Sequence, residues 1–188
     1  MPPKSLPPNA LPPNSWPAAS ASKVSPPRFL SHADLGTVIR LAPLVAIDFI
    51  IRSARDEVLL GLRNNEPARD RYFVPGGMIL KNERLADAFS RLLKTETNYA
   101  TGIDDARFLG AFEHFYKNNR FGAPDYGTHY VVLAYELKVM GTAEPKADDQ
   151  HSELRWWPLS ELLASDRVHR IPKPILTQQK PRAAIDPV

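Results

Sequence analysis

A chain of 188 residues is long enough for one domain with a substantial core, and its apolar content is that of an ordinary globular protein. It contains no cysteine, which excludes disulfides and thiolate metal sites, and no apolar run approaches the ~20 residues of a membrane span. Basic residues outnumber acidic ones 24 to 21, but Lys4, Lys23 and Arg28 lie in an acid-free segment; beyond it the counts are equal, which argues against a nucleic-acid-binding surface.

Residues 1–28 carry nine of the 19 prolines, and Leu6-Pro7-Pro8-Asn9 is repeated as Leu11-Pro12-Pro13-Asn14. Such a segment favours solvated polyproline II and buries too little apolar surface to fold. It has neither the continuous apolar core of a secretory signal nor an amphipathic transit helix, so the expected location is the cytoplasm. The expectation is a disordered tail over 1–28, a folded domain over 29–171 and a partly ordered tail over 172–188.

Ser31-His32-Ala33-Asp34 reads as a helix N-cap with an acid three residues on, leading into Leu35, Val38, Ile39 and Leu41 and stopping before Pro43. Leu44 to Ile51 reads as an apolar strand interrupted by Asp48. A carboxylate inside such a strand is costly unless paired, so Asp48 is either a satisfied core acid or faces a ligand. After a turn at Arg52–Asp56, Val58 to Leu62 returns as a strand. Arg63 follows; an Arg at a strand end is most often solvated, yet here it enters the loop ahead of a Gly-Gly turn, where a diphosphate calls for a bidentate donor.

The strand Tyr72 to Val74 closes on Pro75-Gly76-Gly77, and two adjacent glycines let a backbone approach a ligand that any Cβ would push away. Leu85, Ala88, Phe89, Leu92 and Leu93 then recur at helical spacing, with Glu83 at the helix opening, where the dipole favours an anion. Read residue by residue, this is an ordinary loop and surface helix with an Asp87–Arg91 ion pair. Further on, Phe108 to Tyr116 is a strand carrying Glu113-His114-Phe115-Tyr116. A polar loop and the strand opened by Thr128-His129-Tyr130 follow, and a hairpin would bring His114 and Tyr130 together. Asp148 to Glu153 is a polar cluster before the aromatic strand Leu154–Trp157, and Leu159 to Ala164 is the last clear helix. Strands and helices in this order imply an α+β or α/β sandwich.

Taken whole, Gly77, Glu83, Arg91 and Glu96 resemble the Nudix box: Gly, five residues, Glu, seven residues, Arg, then an acidic cluster and a closing Gly. Leu92 and Thr95 replace two of its acids and Asn98 its Gly. With Phe73-Val74-Pro75-Gly76-Gly77, His114-Phe115-Tyr116, Thr128-His129-Tyr130-Val131-Val132-Leu133, Gln150-His151 and Leu163-Ala164-Ser165-Asp166, the chain resembles the GDP-mannose mannosyl hydrolase branch of that family. The resemblance implies an α+β Nudix αβα sandwich with a mixed sheet, a homodimer, and a nucleotide-sugar substrate. It implies one Mg²⁺ held by the Gly76 carbonyl, Glu96 and Gln150, with His151 as general base. It places Arg63, Asp48, His114 and Tyr130 at the nucleotide sugar, Arg91 at the diphosphate, and Phe29, Leu30 and Asp34 in a nucleotide-binding region. Met78 stands where the branch carries an Arg. Two alternatives remain open: a conventional pyrophosphohydrolase attacking phosphorus, and a non-catalytic nucleotide-sugar-binding module.

Overall fold

A computed structural model describes residues 29–139 and 151–177, and for His151 the backbone alone. Helix α1 spans His32–Leu41, strand β1 Leu44–Arg52, β2 Val58–Arg63, β3 Tyr72–Phe73 and β4 Gly76–Met78. Helix α2 spans Leu85–Thr97, β5 Arg107–Tyr116, β6 Thr128–Lys138 and β7 His151–Trp157; α3 (Leu159–Ala164) and α4 (Lys173–Leu176) close the fold. The sheet is mixed: β3, β2, β1, β6 and β5 lie side by side, with β4 paired to β1 and β7 to β2. Only β1 and β6 run parallel, over nine register pairs from Leu44–Tyr130 to Arg52–Lys138.

Strand β1 is buried along almost its whole length because both faces of the sheet are covered. Its odd-numbered side chains Ile47, Phe49 and Ile51 meet Ala88, Phe89, Leu92 and Leu93 of α2, with Phe49 and Phe89 edge to face at 5.0 Å. Ile50 faces the other way, among Tyr72, Trp157, Leu162, Ile175 and Leu176. This is the expected αβα sandwich, with α2 on one face and α3 and α4 on the other. Helix α1 covers one end, its Leu35 and Ile39 packing with Leu44 of β1. Among the described residues no helix is long and apolar enough to cross a membrane.

The ends of the helices follow from their caps. Ser31 Oγ accepts from Asp34 N at 3.1 Å at the start of α1. Asn98 ends α2 in the left-handed conformation, φ 64°, a backbone state Asn tolerates nearly as well as Gly. That is why Asn98 can stand at the position of the closing Gly. One expectation is corrected: Gly76 and Gly77 are not a turn but strand β4, paired antiparallel with Ala46–Asp48 of β1.

Candidate functional site

Successive strand residues face opposite sides of a sheet, so the two glycines of β4 are needed for two different reasons. A Cβ on Gly76 would collide with the Ile47 carbonyl oxygen and lie 2.9 Å from Asp48 Oδ1. A Cβ on Gly77 would lie 2.7 Å from Leu92 Cδ2 and 4.0 Å from Glu96 Oε1. Gly76 thus abuts Ile47 and Asp48 on one face, and Gly77 abuts Leu92, with the Glu96 carboxylate just beyond it, on the other. Phe49 N donates to Pro75 O and Ile79 N to Val45 O. In an antiparallel ladder this alternation turns the Gly76 carbonyl away from β1.

On the α2 face, Arg91 is a clamp. Its Nε donates to Glu83 Oε1 at 2.6 Å, and its Nη2 donates to Glu83 Oε2 at 2.8 Å and to Met78 O at 3.0 Å. Leu80 N also donates to Glu83 Oε2. The bond from Arg91 holds the Glu83 carboxyl below its usual range against the opposing effect of burial. Arg91 therefore pairs with Glu83, not with Asp87, and the pair fastens the loop between β4 and α2. Glu96, one turn beyond Leu92, is 1% exposed.

On the other face, Asp48, His114, Tyr130 and Arg63 come together from four strands. His114 and Tyr130 are register partners in the β5–β6 hairpin, as expected. Asp48 is 6% and His114 4% exposed, with His114 Nδ1 3.9 Å from Asp48 Oδ2. That separation is at the outer limit of an ion pair, and burial opposes charge on both groups. Burial pushes Asp48 up to about 7, Arg63 only partly opposing it, and burial followed by the charge of His169 pushes His114 down to about 4. Each group is driven toward its neutral form. Asp48 Oδ2, His114 Nε2 and Arg63 Nε are all buried without a hydrogen-bond partner among the described residues. Three orphaned polar atoms on one face are rare in a native fold unless a ligand or water completes them.

Sequence reasoning gave no separate role to Tyr116, His169 or Arg120. Tyr116, two residues beyond His114 and hence on the same face, packs edge to face on Tyr130 at 6.0 Å; burial, then Asp48, raise its phenol. The two-residue spacing was the available signal. His169 packs against Phe73 and Tyr116, both at 5.6 Å, and no local pattern marked it. Asp34 is engaged in the α1 cap, accepting from Ser31 Oγ at 2.7 Å, and the Phe29 ring lies 5.9 Å from Arg91 Cζ. Gln150 lies outside the described residues. His151 opens β7 directly across from Arg63, at a register shift.

Among the described residues no three His, Cys, Asp or Glu side chains converge on one point. A cation at the Gly pair would therefore draw on main-chain and amide oxygen as well as Glu96. The outward Gly76 carbonyl and the Glu96 carboxylate behind Gly77 are hard oxygen donors of the kind Mg²⁺ takes, so the residues present fit such an ion.

The chain is 40% identical over 118 residues to the low-salt glycan biosynthesis protein Agl8 of Haloferax volcanii, covering 63% of this chain and 72% of that protein. It is 29% identical over 122 residues to the ADP-ribose pyrophosphatase of Methanocaldococcus jannaschii, 65% of this chain and 66% of that protein. In fold it matches a MutT NUDIX hydrolase from Burkholderia pseudomallei with a TM-score of 0.58 at 23% identity, over 73% of this chain and 98% of that one. A NUDIX domain model matches residues 42–179, which takes in every strand of the sheet, the Gly pair and α2. The clamp of Glu83 by Arg91 behind a Gly-Gly strand is thus a Nudix box in place, and the chain belongs to the Nudix hydrolase family.

Proposed function

We propose that this Nudix hydrolase releases the sugar from a GDP-mannose-type nucleotide sugar by attack of water at the anomeric carbon, giving a nucleoside diphosphate and the free sugar. One observation carries this reading. Of the acids on the box loop and helix, Asp87 is exposed and Glu83 has both oxygens engaged by Arg91, while Leu92 and Thr95 occupy the positions of two others. Glu96 is the buried carboxylate behind the Gly pair. Attack on phosphorus is commonly served by several carboxylates that gather metal ions and prepare the water; one carboxylate suits a site that need only neutralise a departing diphosphate. The Haloferax relative is named for glycan biosynthesis, which agrees with a sugar-bearing substrate.

Gly76, Glu96 and Gln150 would hold one Mg²⁺, which when bound neutralises phosphate charge. The chain's own residues do the rest. His151 takes the proton from water, which suits an imidazole titrating near 6.5. The new C–O bond forms as the bond to the diphosphate breaks, and a single displacement inverts the anomeric centre. Asp48, His114, Tyr130 and Arg63 surround the substrate, and the unpartnered Asp48 Oδ2, His114 Nε2 and Arg63 Nε supply hydrogen bonds to it. Arg91 acts through the loop it fastens and is a positioning residue. Two copies of the chain are expected to pair, with Phe29, Leu30 and Asp34 bordering the nucleotide region.

A conventional pyrophosphohydrolase is the second reading, favoured by the likeness to a protein named ADP-ribose pyrophosphatase. Hydrolysis of GDP-mannose with Mg²⁺ in ¹⁸O-labelled water separates the two. Label in free mannose beside unlabelled GDP is the expected result. Label in GMP or mannose phosphate would mean phosphorus chemistry and would overturn the proposal.

A further inference from the structure

We propose that Arg120, on the loop between β5 and β6, is the cation that meets the substrate's diphosphate, supplying the charge that Met78 withholds from the strand after the Gly pair. The inference rests on the reading that a nucleoside diphosphate derivative occupies this site.

The loop is built to hold one shape. Asn119 is fully buried at its centre. Its Nδ2 donates to Ala123 O and Tyr126 O at 2.8 and 2.7 Å, and its Oδ1 accepts from Phe121 N and Ala123 N. On one side of Arg120, Asn118 Nδ2 donates to Glu66 Oε2 at 2.6 Å, tying the loop to the one that follows Arg63. On the other side, Phe121 packs edge to face on His32 of α1 at 5.8 Å and lies 3.6 Å from where a Cβ on Gly36 would be. Arg120 is therefore carried between two anchors, one beside the Arg63 loop and one on α1. Tyr126, from the same loop, packs in one apolar cluster with Met78 and Tyr130. The loop that carries Arg120 thus borders, through Tyr126, the same cluster as Met78 and Tyr130. The phenol of Tyr130, raised first by burial, is lowered in turn by Arg63 and Arg120, which places both charges near it.

Two of the other arginines near the site are held by partners: Arg91 is fastened to Glu83 and Met78 O, and Arg69 Nε donates to Asn64 O. Arg63 is turned toward the buried side of the site, its Nε unpartnered among the described residues. Arg120 is exposed and its side chain donates to no partner in any hydrogen bond or ion pair among the described residues. A guanidinium held on a rigid loop and left unpaired is suited to a bidentate phosphate contact.

Calorimetric titration of GDP into the full chain tests this, using wild type, R120Q, R120K and the double variant M78R/R120Q at low and high salt. The expected result is a loss of GDP affinity on the order of tenfold in R120Q, an intermediate value for R120K, and recovery of most of the loss in M78R/R120Q. The gap between wild type and R120Q should narrow at high salt, because an exposed charge is screened. Equal affinity in R120Q and wild type would overturn the proposal. So would a loss that salt leaves unchanged, since that marks a merely structural role for the loop. The ¹⁸O experiment fails separately: label at phosphorus removes the glycosyl reading and leaves Arg120 at the diphosphate, whereas a wild type that binds no GDP overturns both.

Discussion

Replacing Asp48 by Asn should stabilise the fold at alkaline pH and destabilise it slightly in acid. Burial raises the Asp48 carboxyl from 3.8 to about 7. A group raised in the fold contributes stability that is fully present below its unfolded value and lost as pH rises through its folded one. At pH 8 the fold must therefore carry an ionised buried carboxylate, and the rise corresponds to about 4 kcal/mol. Asn has no proton to lose. Its amide inherits the unpartnered position of Asp48 Oδ2, which costs about 1–2 kcal/mol. The net gain at pH 8 is roughly 2–3 kcal/mol, or roughly 5–10 °C in Tm for a domain of this size. At pH 3, below both the folded and unfolded values, the carboxyl keeps its proton in fold and unfolded chain alike, so only the amide penalty remains and D48N melts below wild type. His114 has the opposite sign. Depressed to about 4, it contributes stability above 6.5 that is lost as pH falls toward 4, but it is present in both proteins and cancels to first order. Thermal unfolding followed by circular dichroism at pH 8 and pH 3 is the assay. A D48N variant less stable than wild type by the same amount at both pH values would refute the reasoning, because it would mean that Asp48 is ionised and paired with His114.

Three further outcomes are expected. His151→Gln should remove most turnover while leaving the melting temperature unchanged, and wild-type-like rates would sink the base assignment. Arg91→Ala leaves the Glu83 carboxylate buried without its bidentate partner, which should cost about 2–3 kcal/mol in urea unfolding and lower turnover by loosening the Gly76–Gly77 strand. Glu136→Gln weakens the bonds from Arg52 Nε and Arg107 Nη2, both 2.9 Å. Because Arg52 also donates to Leu176 O, the loss of about 2 kcal/mol should appear as earlier release of α4 in hydrogen exchange.

The periodic parts of the fold were legible because each is a local pattern. Leu85, Ala88, Phe89, Leu92 and Leu93 mark the buried stripe of α2, and Ser31 with Asp34 marks the start of α1 by its own hydrogen bonds. His114 and Tyr130 could be paired in advance because a hairpin fixes which residues face each other. Gly76 and Gly77 were read as a turn because two glycines in sequence favour one. What keeps them extended is the close approach of Ile47 and Leu92, contacts with residues far along the chain. The same limit hid His169 and Arg120: one reaches the site through the packing of Phe73 and Tyr116, the other through a loop anchored on α1. Neither contact has a spacing that a sequence displays. Arg91 shows the converse case. Its position was plain, but the geometry gives it to Glu83 and the Met78 carbonyl.

The Gly pair joins two kinds of chemistry that the sheet would otherwise keep apart. A strand exposes alternate residues to opposite faces, so a carboxylate on α2 and a carboxyl on β1 are separated by the thickness of the sheet. Gly76 and Gly77 remove the two side chains that would fill that thickness, and the Ile47 carbonyl with Asp48 Oδ1 closes in on one side and Leu92 Cδ2, with Glu96 Oε1 beyond it, on the other. On the proposed reading, Glu96 would serve an ion on the α2 face, and the groups proposed to contact the sugar lie on the other face. Losing acids from the helix would then weaken attack on phosphorus more than departure of a diphosphate from carbon, which one carboxylate and a carbonyl would serve.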